Sequence, residues 1–389
     1  MTYDGSEGGM TNGLREVAIV GVGQTDHGAL HAVRDAERDD HALAARALAA
    51  AVEDAGLDKN EIEGLICARV GYHRMADITG LHSARAVFDL EGSGRMSGVA
   101  VNQAVALIRS GVVDTVALVY GNNGRSVKMK YGGEGGGPTV SYDEMYGMTS
   151  PGAYVAMMYQ RYAQLYGAPE DALAPIAINN RRHAELNPIA VMRKQISRDD
   201  YLASRMIAEP LRLYDYCIIN DGGVALILTT MERAKDLRHR PVRVAATAAT
   251  ANLTNFYTST DLFGAACADV ADRVYTESGF QPSDMNCLQI YDNFTPTVLF
   301  TLEGFGHAER GTAWQWVRDK GIGLDGGRPI NTAGGHTAES YMQGWAHHVE
   351  AVVQLRGDAG PRQVEDCRVA QYMCASPIVT SHVLVGEDN

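Results

Sequence analysis

Two short segments hold most of the side chains able to move protons. One is Tyr291-Asp292-Asn293-Phe294-Thr295-Pro296. The other runs Gly334-Gly335-His336-Thr337-Ala338-Glu339-Ser340-Tyr341. Phenols, carboxylates and an imidazole are general acids and bases. Glycines at the entry of a helix add backbone N–H donors. Thiol chemistry has less support. The six cysteines (Cys67, Cys217, Cys267, Cys287, Cys367, Cys374) form no C-x-x-C pair, and none lies between Cys67 and Cys217. A zinc site within this chain is not expected from that spacing.

The bulk numbers narrow the class. At 389 residues the chain exceeds one ordinary core, so two or three lobes are expected. A net charge of −13 repels phosphate backbones and argues against a nucleic-acid partner. No apolar run reaches the ~20 residues of a membrane span, so no membrane association is expected. Residues 1–15 have neither a basic n-region nor an apolar h-region and read as a disordered lead-in. Reduced thiols and a cytoplasmic location follow as expectations.

The proton-moving segments need a frame. Val17–Thr25 reads as an opening strand, and Ala42–Ala55 as a helix stopped by Gly56. Glu63–Cys67 reads as a strand. The glycine-rich stretch Glu91–Gly98 leads into a helix ending near Gly111, and Val113–Tyr120 follows as a buried strand. Alternating strands and helices predict an α/β fold with a mostly parallel mixed sheet layered with helices. From 122 to 213 the pattern changes to a glycine-rich loop (131–138) and then to helical segments at Met157–Tyr166 and Asp171–Leu186. This reads as an inserted lid. Its aromatic and methionine residues (Tyr142, Met145, Tyr146, Met148, Tyr154, Met157, Met158, Tyr159, Tyr162) either pack the lid or line an apolar pocket. The sheet resumes at Gly222–Thr229 and at Val242–Ala249. The expected domains are 16–121 with 214–250 as one half, 122–213 as the insertion, and 251–389 as the second half.

The second half repeats the first. Ala51–Leu65 resembles Val274–Leu288, with Gly56 on Gly279 and Leu65 on Leu288. Ala104–Arg109 resembles Ala351–Arg356, each closing a helix before a glycine. A duplicated βαβα layout is the physical reading. The second offset sets Tyr341 opposite Gly94, so both stand at helix starts on equivalent strand edges. Two facing helix N-termini make a site with donors on both sides.

A duplicated architecture with a central lid resembles the thiolase superfamily, over nearly the whole chain from Val17 to Val385. The opening strand carries the likeness, together with Ala208–Cys217 followed by Asn220-Asp-Gly-Gly-Val-Ala225. So does Gly326-Gly-Arg-Pro-Ile-Asn-Thr-Ala-Gly-Gly335. The resemblance implies four chemical stations. The acyl-accepting cysteine station falls on Gly94. Ser93 and Ser97 stand nearby, with no base to activate either. The histidine station after the Gly-Gly pair falls on Tyr341. The Asn-Glu-Ala-Phe station reads Tyr291-Asp292-Asn293-Phe294. The C-terminal cysteine that acts as a base falls at or beside Cys374, which is otherwise a plain core cysteine. Tyrosines at two stations and a missing thiol resemble the thiolase-fold aldolases of bacterial steroid side-chain degradation. In that branch the Tyr-Asp-Xaa-Phe-Thr-Pro motif and the tyrosine after Gly-Gly are the proposed catalytic groups. Cys374 departs from it, because a small residue is expected there.

Retro-aldol cleavage of a β-hydroxyacyl-CoA is the implied reaction. A base removes the β-hydroxyl proton, the Cα–Cβ bond breaks into an enolate, and an acid protonates Cα. No acyl group is transferred, so no thiol is needed. A phenol, with a free pKa of ~10, matches an alcohol better than an imidazole does. Tyr291 and Tyr341 divide the base and acid roles in either order. His336 and helix N-termini are expected to lend positive charge, and the amides around Gly94, Gly334 and Gly335 to hold the enolate oxygen. Asp292 joins Tyr291, Tyr341 and His336 as a candidate catalytic residue and Glu339 is a possible one, with a backbone or ion partner as the alternative role for both, while His347 and His348 are expected at the surface or an interface.

Two other readings stand beside this one. The chain is a thiolase-type acyltransferase with relocated residues, or a non-catalytic lipid-CoA carrier or scaffold. The resemblance further implies an acyl-CoA ligand with no cofactor of the protein's own. It also implies a homodimeric core and a small companion with an OB fold and a zinc ribbon.

Overall fold

The computed structural model describes residues 14–92, 94–130, 148, 150–251 and 260–387. Most of the 1–15 lead-in, Ser93, the glycine-rich loop 131–138, and Tyr142, Met145 and Tyr146 lie outside the described residues. Strands β1 (Val17–Gln24), β2 (Gly64–Ala68), β3 (Ala86–Leu90) and β4 (Thr115–Asn122) come first, with the small pair β5 (Met206–Ala208) and β6 (Leu211–Arg212) next. Then follow β7 (Gly222–Thr230), β8 (Val242–Ala251), β9 (Cys287–Ile290), β10 (Val369–Cys374) and β11 (Ile378–Gly386). All but β5 and β6 join one sheet, ordered β3-β2-β4-β7-β1-β8-β11-β10-β9.

The duplication is visible in this order. From β2, the run β2-β4-β7-β1 is matched by β9-β10-β11-β8. β2 pairs parallel with β4, and β9 parallel with β10. β7 is antiparallel to both β4 and β1, as β11 is to both β10 and β8. The two halves meet at β1 and β8. The expectation of a mostly parallel sheet needs correction. Among the described strands of this sheet, the parallel pairs are those joined through helices, namely β2 with β3 and β4, and β9 with β10. The link from β10 to β11 is only Ala375, Ser376 and Pro377. A link that short permits only an antiparallel return.

Side-chain alternation along β1 shows the layers. Val17 and Ile19 point into a core shared with the helices Met96–Arg109 and Trp345–Arg356. Ala18 and Val20 point to the opposite face, against the helix Asp40–Ala55. That helix ends on Gly56 in the left-handed region, where an L side chain would be strained. The first core also takes residues from β8, β10 and β11, so both halves close on the same two helices.

The helix Trp345–Arg356 has almost no solvent face. Its sequence has no clean apolar stripe, because packing surrounds it. Its polar residues are therefore paired inside. The Thr332 hydroxyl donates to Glu350 at 2.7 Å, and the Arg362 guanidinium lies 3.1 Å from the same carboxylate. Arg356 donates to Asp54 at 2.7 Å and to the Val20 carbonyl at 2.8 Å. His347 and His348, expected at the surface or an interface, are both buried on this helix within the chain's own core.

The helix Pro151–Tyr166 sits in the inserted segment. Ser150 caps its first turn, accepting from the Ala153 amide. Tyr159 and Tyr162 are core residues, and the Tyr162 hydroxyl donates to Glu303 at 2.6 Å. Met157 is exposed. Its described aromatics therefore pack the segment, whereas Pro151 and Val155 reach the cavity described below. Among the described residues no helix is long and apolar enough to cross a membrane.

Candidate active site

Tyr291 follows the end of β9, and its amide donates to the Met373 carbonyl of β10 at 2.9 Å. Three residues further on, Phe294 precedes the helix Thr295–Gly304, with Pro296 in its first turn. Proline fits there because those amides need no intrahelical acceptor. This strand-to-helix turn aims Tyr291 inward. Tyr341 lies in the turn before the helix Trp345–Arg356, and its amide donates to Asn220 Oδ1 at 2.7 Å. The Asn220 carbonyl in turn accepts from Asn122 Nδ2 at 2.9 Å. Asn220 opens the Asn220–Ala225 motif, but nothing local marks it as the support of Tyr341.

The two phenol oxygens are 3.0 Å apart, so one hydroxyl donates to the other. Both rings are buried, and both line a cavity of about 330 Å³. The wall also includes Gly94, Arg95, Asn293, Phe294, Thr297 and Gln343. Such a volume is at the lower end for a small-molecule site. Burial, then the neighbouring Tyr341 and Cys374, push the Tyr291 phenol well above its ordinary range.

Gly94 stands where the duplication placed it, directly before the helix Met96–Arg109. A Cβ there would overlap the Tyr291 hydroxyl oxygen and lie 3.1 Å from that of Tyr341. The phenol thus fills the space a side chain at 94 would need. Ser97 is buried, with its hydroxyl 3.1 Å from that of Tyr372. Its hydrogen-bond partner among the described residues is that hydroxyl and not a base.

Beneath the tyrosines lies a buried polar cluster. Asp292 Oδ1 accepts from the His336 amide at 2.8 Å and lies 3.1 Å from His347 Nε2. Its Oδ2 accepts from Asn180 Nδ2 at 2.7 Å. The three side chains Asp292, His336 and His347 lie close enough to hold a metal ion. The carboxylate is already supplied with N–H donors, which is how a buried charge is retained. Gly335 has φ +60°, and a Cβ there would overlap Asp292 Oδ2. The Gly-Gly motif is thus a packing requirement of this carboxylate.

His336 is fully buried. Its Nε2 accepts from the Gly344 amide at 2.9 Å, so in the neutral ring the proton sits on Nδ1, 3.3 Å from Asp292 Oδ1. Burial, then the nearby His347, hold its pKa well below the usual histidine value. Both effects work against the expected positive charge at His336. Its ring instead packs edge-on against Tyr291 and Tyr341, with centroids 4.6 and 5.0 Å away.

Two further expectations change. The Gly334 amide donates to the Asn331 carbonyl at 2.8 Å. Neither Gly334 nor Gly335 lines the cavity, so of the three glycines only Gly94 borders it. Cys374 is fully buried, and burial pushes its thiol up to about 12. It packs against the tyrosines but does not line the cavity. The core-cysteine reading fits it, and a base does not. Glu339 is buried away from the cavity, within 3.3 Å of Asn187 Nδ2, and burial and then Glu350 raise its carboxyl. Arg95, Asn293, Thr297 and Gln343 were not singled out from sequence. Asn293 is the variable position of its motif and Arg95 lies inside the glycine-rich stretch Glu91–Gly98, so neither stands out by residue type, and no motif covers Thr297 or Gln343.

Known proteins share this fold. Residues 17–232 match the model for the thiolase N-terminal domain, and residues 246–385 match the thiolase C-terminal domain-like model. The chain belongs to the thiolase superfamily. It is 31% identical over 388 residues to a steroid side-chain-cleaving aldolase of Thermomonospora curvata, covering 95% of this chain and 98% of that one. It is 32% identical over 360 residues to a 17-hydroxy-3-oxo-4-pregnene-20-carboxyl-CoA lyase of Mycobacterium tuberculosis, covering 88% and 92%. The solved Ltp2-ChsH2(DUF35) aldolase superposes with a TM-score of 0.86 at 29% identity, covering 96% of this chain and 98% of that one. Within the superfamily the chain is a thiolase-fold aldolase, a carbon–carbon lyase.

Proposed function

We propose that the chain cleaves a steroid-like β-hydroxyacyl-CoA by a retro-aldol reaction, releasing a ring ketone and acetyl-CoA or propionyl-CoA. The observation that carries this reading is the 3.0 Å Tyr291–Tyr341 pair on the cavity wall, occupying the space of the missing thiol. The names of the relatives support the substrate class.

Tyr341 is the base. Tyr291, whose ionisation burial disfavours, stays a neutral phenol and donates to the Tyr341 oxygen. That donation steadies the Tyr341 phenolate, as do the starts of two helices nearby. Tyr341 takes the β-hydroxyl proton. The Cα–Cβ bond breaks as the ketone C=O forms, and the electron pair moves into the thioester as an enolate. A tyrosine hydroxyl then protonates Cα, which restores the phenolate. His336 keeps both rings in place, Asp292 keeps the His336 backbone in place, and Gly94 leaves room for the phenols. Coenzyme A enters with the substrate, and the reaction asks for no other cofactor.

A homodimeric core and a small OB-fold, zinc-ribbon companion belong to the same proposal. The structural relative, named as an aldolase coupled to a DUF35 protein, supports the companion.

Incubation with a 17-hydroxysteroid C22-CoA ester, with and without the companion, tests this. The expected products are the 17-ketosteroid and propionyl-CoA. Tyr341→Phe and Tyr291→Phe should each lower kcat by about 10²–10⁴ with the fold intact. Full activity in both variants sinks the mechanism.

A further inference from the structure

An enolate needs donors aimed at its oxygen. Of the three glycines expected to supply amides only Gly94 borders the cavity, so Gly334 and Gly335 leave room for other donors. Among the described residues on the wall, three side chains carry N–H groups: Arg95, Asn293 and Gln343. Asn293 is only partly buried, and its Oδ1 lies 3.4 Å from the Thr297 hydroxyl, a contact that leaves its own N–H group available.

Gln343 is different. Only 4% of it is exposed, yet its Oε1 has no partner among the described residues. A buried carboxamide left unpaired is costly, and a turn about its last bond exchanges oxygen for nitrogen. Its backbone has φ +51°, the left-handed region that an unbranched non-glycine residue rarely takes. Its neighbour Met342 points into the core. Tyr341 and Gln343 therefore face the cavity together from one turn. Across from them, Arg95 enters the helix Met96–Arg109. Its Nε is buried without a partner, and its Nη2 is 3.8 Å from Glu91, whose side chain is largely exposed. The cavity thus has a buried, unpaired polar side-chain atom on each half of the fold, Gln343 Oε1 and Arg95 Nε.

We propose that Gln343 turns its carboxamide N–H to the thioester oxygen of the substrate and holds that oxygen as it becomes the enolate, with the Arg95 guanidinium as the second donor. This deepens the retro-aldol reading and rests on it. It accounts for a polar, strained residue retained inside an otherwise tight wall. It also assigns the tyrosines to the proton and the Gln343–Arg95 pair to the electron sink.

The enolate step can be read by itself. The enzyme is incubated with propionyl-CoA in deuterium oxide, and exchange at Cα is followed by mass spectrometry, alongside cleavage of the hydroxysteroid ester. Gln343→Gly suits the left-handed backbone and removes the donor. Gln343→Asn also suits it and keeps a carboxamide. Gln343→Gly is expected to lose about 10²–10³ in both exchange and kcat, with KM changed by no more than severalfold and melting as in the wild type. Gln343→Asn should recover part of both rates, and Arg95→Met should lower both by a smaller factor. Exchange and cleavage within threefold of wild type in Gln343→Gly overturn the proposal, as does an effect confined to KM. Wild-type exchange without any cleavage of the hydroxysteroid ester defeats the cleavage reading. The loss in Gln343→Gly then still decides the donor role.

Discussion

Gly94 and Tyr291 exclude each other's alternatives. A Cβ at position 94 would overlap the phenol oxygen and stand 2.8 Å from the ring carbon that bears it. The hydroxyl already bonded to Tyr341 cannot retreat without breaking that pair. A side chain at 94 and a tyrosine at 291 are therefore structurally incompatible, which links the missing thiol to the new phenol.

Gly94→Ala should accordingly cost about 1–3 kcal/mol through overpacking and abolish cleavage by displacing Tyr291. Tyr291→Ala opens the same space, so the Gly94→Ala/Tyr291→Ala double variant should be more stable than the two single effects predict. Denaturant midpoints around the four-member cycle measure this. Strict additivity would contradict the contact.

Asp292 is the acceptor for several buried donors, the His336 amide, Asn180 and His347. Asp292→Ala leaves them unpaired, and the expected loss is about 3–5 kcal/mol. The measurement is a chemical unfolding curve at pH 7. A loss under 1 kcal/mol would mean the cluster relaxes around the change.

Cys374→Ala should retain cleavage within about threefold, because the thiol stays protonated and off the cavity wall. The same variant separates the aldolase from a relocated acyltransferase. Under the acyltransfer reading its rate would collapse, and wild-type protein would trap an acyl group visible by intact mass.

Stability should fall in mild acid. Burial lowers His27 and His307 to about 4 and His382 to about 3, and holds His336 and His348 well below the usual value. The unfolded chain takes up these protons near pH 6.5 while the folded chain does not. The stability they confer is therefore complete above pH 6.5 and drains away as the pH falls toward 4. His27 alone accounts for roughly 3 kcal/mol at the lower end. Asp215, raised to about 6 by burial, and Glu339, raised by burial and Glu350, act with the opposite sign, since the folded chain keeps their protons to higher pH. The histidines outnumber them, so melting temperatures between pH 7 and 4.5 should decline steadily. A flat profile would show that the imidazoles are not held neutral.

Much of this molecule was legible in its residues. The helix before Gly56 and the buried strands follow from local periodicity, and the repeat offset of Gly94 against Tyr341 predicts two equivalent helix starts. These depend on neighbours along the chain or on copies of one pattern, which a linear string preserves. The resemblance to the thiolase superfamily assigns the two tyrosines one station each.

What the string could not decide is which atoms face which. The 3.0 Å separation of Tyr291 and Tyr341 joins residues 50 positions apart. The pKa of His336 is held down because packing removes water from it, and Asp292 is spanned by donors from Asn180 and His347 on different elements. The antiparallel return of β11 and the burial of His347 and His348 arise from assembly of two halves around a shared pair of helices. Gln343 and Arg95 acquire meaning only when both halves close a cavity on them. Sequence determined the fold and removed the thiol. Tertiary structure decided protonation, donor geometry and which polar groups remain free, because those depend on through-space distance and dielectric, neither of which is written along the chain.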